Sequence, residues 1–502
     1  MSRAGRLGLA LWGLACLQPA TAGAQGYRLR LDSRIQHAAY RGVQVDSIPL
    51  DEVVVGPDGG LTTPDGFAVR CDGGLAFCRY FPPGPIRKAS PMVTTADLTL
   101  WRLGLPGLSI RANGRLGVDF GDEDLWPGTD PDLQVIEAYA EYAARGGNAR
   151  LGRQLLTNRL GVIGFDGARV GGRLFDFGLQ LDAYAGLGLA RASALPVTSP
   201  ALDPLDEFQP RKRGLLVGGA VGYGRQGLDL RLEYQREVGR DPSVLFAERI
   251  ALSGYVQPLP QWSLTAGADY DLANTWVGNA DATVRFTSRL VTAQAGVRQY
   301  RPHFDLWTIW GAFSPVPYHA VHGTVWVTPV PPLQIRGRWE RFSFSEAEVS
   351  TGLVQVDDDG WRLGVGATYT PLAGLTLDLG YHEEYGPGAS SHGVDGSVSW
   401  LALPTLTLSA YGSTLERPLE FRFSEADVQV LGLDAEWEPT DRLRLAVGGA
   451  HYQEDRERPD AAALDWNQTR LHGRVTLLFG SGADRTPLPR ALRTRPRAGV
   501  SR

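Results

Sequence analysis

The chain has 502 residues, 62 of them glycine, and a formal charge of −5 at neutral pH. That balance gives no sign of a nucleic-acid partner, and the glycine content argues against a helical protein. No run of eighteen apolar residues follows the N-terminal segment, so a membrane-spanning helix is excluded as well.

Arg3 and Arg6 precede an apolar run over 7–17, and the small residues Ala22-Gly23-Ala24 follow. This order predicts a secretory signal peptide over 1–24. Cys16 follows Gly13-Leu14-Ala15, a poor lipoprotein motif. The remaining cysteines, Cys71 and Cys78, lie in a turn-rich stretch with Gly73 and Gly74 between them. In an oxidising compartment that pair predicts a local disulfide. No His lies nearby, and no metal site or cofactor is expected.

From about Tyr27 the dominant signal is alternation over segments of roughly ten residues, the length of a tilted strand that crosses a bilayer. Over 108–120 the residues Leu108, Ile110, Ala112, Leu116, Val118 and Phe120 share one face; Ser109, Arg111, Asn113, Arg115 and Asp119 share the other. The same pattern returns at 228–234, 262–270, 333–339, 375–381 and 431–437. Successive inward charges such as Arg336, Arg338 and Glu340 could not sit unpaired in a dry core. Aromatic residues near strand ends (Trp101, Trp262, Trp326, Trp361, Trp400, Trp437, Tyr270, Tyr300 and Tyr381) are expected to form the two interfacial girdles.

Ten tight turns can be read, at 105–107, 145–148, 175–178, 224–227, 258–261, 287–289, 329–332, 371–374, 403–405 and 439–442. Longer polar connections such as 121–132, 195–211 and 455–465 lie between them. Each tight turn joins two strands, and 27–40 and 466–479 supply one more at each end. The expectation is an all-β, antiparallel, up-and-down transmembrane barrel over 25–479, of about 22 strands within a range of 18 to 24. No plug domain is expected ahead of it. The first loop, 41–91, is the candidate for narrowing the pore or forming an extracellular cap, and 301–313, denser in aromatics than its neighbours, reads as a strand top with its girdle, the alternative being an inward-folded patch that contacts solute.

The polar face of the strands names the expected lumen lining: Arg111, Arg115, Glu137, Glu141, Arg150, Arg169, Arg173, Asp182, Arg231, Glu233, Arg336, Arg338, Asp378, Arg444, Arg470 and Arg474. Facing guanidiniums and carboxylates create a transverse field that favours hydrated solutes. Enzyme motifs are absent. Gly222-Tyr223-Gly224-Arg225-Gln226-Gly227 matches a dinucleotide fingerprint by letters but spans a hairpin turn. The acidic runs Asp122-Glu123-Asp124 and Asp357-Asp358-Asp359 read as solvated loops rather than Ca²⁺ sites.

The last strand ends at Phe479, as in the terminal strand that the barrel-assembly machinery recognises, although here a basic, proline-containing tail, 480–502, follows. At Arg150-Leu151-Gly152-Arg153-Gln154 and Phe165-Asp166-Gly167-Ala168-Arg169 the chain resembles the alginate-export family of outer-membrane porins. The resemblance implies a diffusion channel for an anionic polysaccharide, with Arg150, Gln154 and Arg169 facing its lumen. Taken together, the residues predict a passive porin for hydrophilic small molecules or oligosaccharides. Its setting would be the outer membrane of a Gram-negative bacterium, among lipids and the assembly machinery; a polysaccharide exporter or a loop-presenting scaffold are the alternatives.

Overall fold

The computed structural model describes residues 26–56, 60–71, 76–121, 133–174, 177–189, 214–239, 241, 244–301, 318–344, 359–386, 389–420, 424–458 and 465–480. The expected signal peptide, the tail beyond 480, the aromatic segment after Arg301 and the loop 195–211 lie outside them. So does Asp122-Glu123-Asp124, and of the second acidic run only Asp359 is described.

Strands follow one another antiparallel from Gly26–Val43 to Trp466–Gly480, and those two pair with each other from Arg28↔Gly480 to His37↔Leu471. The main sheet has 23 strands, of which Pro83–Ala89 only extends the upper part of the first. The other 22 form a closed cylinder, the number expected. Among the described residues the helical content is one 3-10 turn, Leu50–Glu52, and there is no globular plug. Closure leaves no strand edge unpaired, the condition for a β-structure to cross hydrocarbon.

All ten tight turns sit between strands where alternation placed them. Several depend on glycine. Gly107 has φ +85°, and a Cβ there would lie 2.1 Å from the Ala143 carbonyl oxygen. At the other end the connections are uneven. The first, after Val43, holds two small sheets: Asp46–Pro49 and Val69–Arg70 flank Phe77–Tyr80, and Val54–Val55 pairs Leu61–Thr62. The Cys71–Cys78 disulfide closes the first of these sheets. By contrast, Asn158 and Gly161 face each other across a two-residue turn. The sequence reading of 455–465 as a loop also needs correction, because the strand Leu443–Arg458 runs into it.

The two faces of the wall differ. Arg159, on the turn between Gly147–Asn158 and Gly161–Leu174, pairs with Asp281 on the distant strand Trp276–Thr287. Strands that are not neighbours in a cylinder can meet only through its interior, so the face of Asp281 is the inner one. Register carries that face around the barrel. The opposite face exposes large apolar side chains on almost every strand, among them Leu151, Leu379, Leu431 and Val447. A closed antiparallel barrel with such an exterior is a transmembrane barrel of the outer-membrane type.

Trp262, Trp400 and Trp437 share the outer face near the tight turns, and Tyr270, Tyr381 and Trp361 share it near the other end. Three aromatic assignments fail. Trp101 stands opposite Ser109, Trp326 opposite Arg336, and Tyr300 opposite Tyr318, all on the inner face. Position near a strand end does not choose a face; parity does.

The seam between first and last strands is pinned from inside. Asp32 accepts hydrogen bonds from Arg474 Nε at 3.0 Å, Arg474 Nη2 at 2.5 Å and the Thr476 hydroxyl at 3.0 Å. Arg474→Ala should therefore lower stability by about 2 kcal/mol, because Arg30 and Arg34 remain near Asp32. Arg470→Ala, which removes a guanidinium lying over the Tyr452 ring, should cost about 0.5 kcal/mol. Urea unfolding from lipid vesicles measures both, and equal losses would contradict a special role for the seam.

Candidate functional site

Register sets every residue expected to line the lumen on the inner face. Glu141, Arg150, Arg169 and Tyr184 form one continuous row across four strands. Most of the charges are neutralised by neighbours one or two strands away. Arg111 lies 3.1 Å from Asp97 and 3.6 Å from Glu137. Arg150 lies 3.1 Å from Glu141. Arg336 holds Asp378 through two bonds of 2.7 and 2.8 Å. Arg444 bonds Glu438 and lies 3.3 Å from Glu436. Arg338 lies along the wall over Gly364, where a Cβ would meet its Nε at 2.6 Å. Arg115 stands opposite Thr95 and Gln134, and Arg173 is exposed beside the tight turn that follows it.

One network leads to the element that enters the interior. Arg169 bonds Asp182 at 2.8 Å, Asp182 lies 3.6 Å from Arg231, and Arg231 bonds Glu233 at 2.6 Å. The other Glu233 oxygen accepts the backbone N–H of Arg159 at 3.0 Å. Arg159 belongs to the turn Asn158-Arg159-Leu160-Gly161, which local chemistry makes tight. The Asn158 side chain accepts the Leu160 N–H at 2.9 Å, and Gly161 adopts φ +116°. The Arg159 guanidinium bonds Asp281 at 2.6 Å and occupies the space over Gly267, where a Cβ would lie 2.5 Å from Nη1. Leu160 offers its carbonyl to Arg249 at 2.7 Å, and Arg249 bonds Asp269 at 2.9 Å.

The hairpin thus leans from its own strands onto those that carry Glu233, Arg249, Asp269 and Asp281. Its underside is apolar: Leu156, Ile163 and Phe165 pack with Tyr184 and Leu216 in a buried cluster, and Leu160 is buried at the tip. Each such side chain withdrawn from lumen water stabilises the infolded state by roughly 1.5–3 kcal/mol. Gln154 lies in the same layer. It faces inward but is buried, donating to the Gly167 carbonyl at 3.0 Å, so it supports the hairpin root rather than the open wall.

No family model matches the chain, so the resemblance at 150–154 and 165–169 to alginate-export porins finds no support there. No curated protein matches it either. Solved structures do. The siderophore receptor PirA from Pseudomonas aeruginosa is similar at 11% identity over 90% of this chain and 80% of that one, with a TM-score of 0.45. OpdQ from the same organism is similar at 10% identity over 91% of this chain and 97% of that one, TM-score 0.36. OccAB1 from Acinetobacter baumannii gives 7% identity, 91% and 99% coverage, and a TM-score of 0.37.

Sequence reasoning named the wall, with Asp269 on its polar face, but missed the hairpin with Arg159, and Arg249 and Asp281 on the strands that hold it. A signal was present. Leu156, Ile163 and Phe165 fall at inward positions, so the polar face turns apolar over this stretch alone of the two strands. The two ion pairs that hold the hairpin, Arg159–Asp281 across the lumen and Arg249–Asp269 between adjacent strands beneath Leu160, should differ in weight. Arg249 and Asp269 side chains are 5% and 1% exposed, whereas Arg159 and Asp281 are 19% and 37% exposed. Arg249→Ala leaves a carboxylate buried without its partner and should cost about 3–5 kcal/mol. Arg159→Ala should cost about 1 kcal/mol or less. Urea titration of both variants in vesicles checks the order, and the reverse order would rule out Arg249 as the main anchor.

Proposed function

We propose that the chain is a passive outer-membrane channel for hydrophilic solutes, with the Asn158–Gly161 hairpin as the constriction that bounds its route. The tight turns would face the periplasm and the disulfide-closed first loop the outside, and solute would move down its own gradient with no cofactor and no catalytic step. The observation that carries this reading is the hairpin itself. It is a short element held inside a closed barrel by charged side chains on distant strands, above a wall of paired guanidiniums and carboxylates. Paired charges keep the interior wet without a large field of one sign, which suits polar solutes of either charge. Small hydrophilic molecules or oligosaccharides are the solute class that follows.

Planar-bilayer recording tests it. The wild-type protein should open steadily. Arg159→Ala, or Gly267→Leu, which fills the space where the guanidinium lies, should loosen the hairpin and raise both conductance and its fluctuation. A barrel that never conducts would end the channel reading. Variants that conduct as the wild type does would remove the hairpin from it.

A further inference from the structure

The outer wall carries a groove where five consecutive strands meet: Trp276–Thr287, Val291–Tyr300, Tyr318–Val330, Leu333–Phe344 and Asp359–Leu372. Its floor is built of residues with almost no side chain. Ala295 faces Gly323, and Val325 faces Gly337. A Cβ at Gly337 would have nothing within 4 Å, so the floor lies open. Val284 and Phe286 form one flank, and Trp339 and Val365 form the other, around a hollow of 580 Å³. At Trp339 it continues into a second hollow of 780 Å³, floored by Ala280 and Ala282.

The far end changes character. Gln299, His319, Arg341 and Asp359 line it, away from the tight turns. Arg341 gives one hydrogen bond to Asp359 at 2.9 Å and is 69% exposed, so its guanidinium, with five N–H groups, is accessible to a second acceptor. From the level of Phe286 to that of Ala280 is six residues, about 20 Å along a strand at 3.3 Å per residue. With a strand tilt near 45° that is about 14 Å along the bilayer normal, one leaflet's share of a hydrocarbon core of about 30 Å.

We propose that this groove is a binding site for one anionic lipid of the surrounding leaflet, an acyl chain lying on the Ala295–Gly323–Gly337 floor and the phosphate at Arg341 and His319. The occupant follows from location. The groove opens on the membrane-facing wall, so what fills it is lipid, and its polar end carries a guanidinium where a headgroup would lie. Apolar length and a polar end carrying an accessible guanidinium match one such molecule. The inference rests on the membrane-spanning barrel but not on conduction through it.

Native mass spectrometry of the full-length protein, exchanged into mixed micelles of equal phosphatidylglycerol and phosphatidylcholine, tests the site. The wild type should retain one phosphatidylglycerol. Gly337→Leu, which projects a side chain into open space, should abolish retention, and Ala295→Leu serves the same purpose if Gly337→Leu fails to assemble. Arg341→Ala should keep the lipid but lower the phosphatidylglycerol preference about fivefold, the effect of one guanidinium at an anionic surface. Retention unchanged by both floor variants, or a headgroup ratio unchanged by Arg341→Ala, overturns the site. A protein that conducts but holds no lipid loses the site and keeps the channel.

Discussion

The rest of this structure depends on one constraint: inside a bilayer no backbone N–H or C=O can be left without a partner. A sheet meets it only by closing. Here closure joins Gly26–Val43 to Trp466–Gly480, segments from opposite ends of the chain, and Asp32, Arg474 and Thr476 fasten the join from the inner side. Once the cylinder is closed, each strand has one face toward lipid and one toward the interior. The two-residue repeat then decides where every side chain goes.

Within that scheme the interior is a lattice of short ion pairs within strands and between strands one or two places apart, and two kinds of exception break the rule of faces. Apolar residues occupy inward positions where the Asn158–Gly161 hairpin needs a seat. Charged residues occupy outward positions as closed pairs, such as Arg153 with Asp166 at 2.7 Å and Arg236 with Glu248 at 3.7 Å. Both kinds break a local rule and both have a tertiary reason. The first seats the hairpin against the wall, and the second neutralises itself, which lowers the cost of a charge beside hydrocarbon.

Glycine has a second role, apart from turns. Gly267, Gly364 and Gly366 lie beneath Arg159, Arg338 and Arg336, so that guanidiniums rest flat on the wall instead of projecting into the lumen. The same absence of side chain on the outside, at Gly323 and Gly337, hollows the lipid-facing relief. A composition so rich in glycine is thus a statement about wall thickness as much as about turns.

By itself the sequence determined the strand number, the turn positions, the local disulfide and the face of residues such as Arg111, Glu141, Arg336 and Arg474. Each of these follows from periodicity or short-range geometry, which a linear chain displays. Only the tertiary structure decided that a two-residue turn reaches distant strands and that Arg159 finds Asp281. Alternation records which side of the wall a residue occupies. It holds no information about which points of a closed cylinder face one another across its interior, because that depends on closure and on how far a hairpin leans.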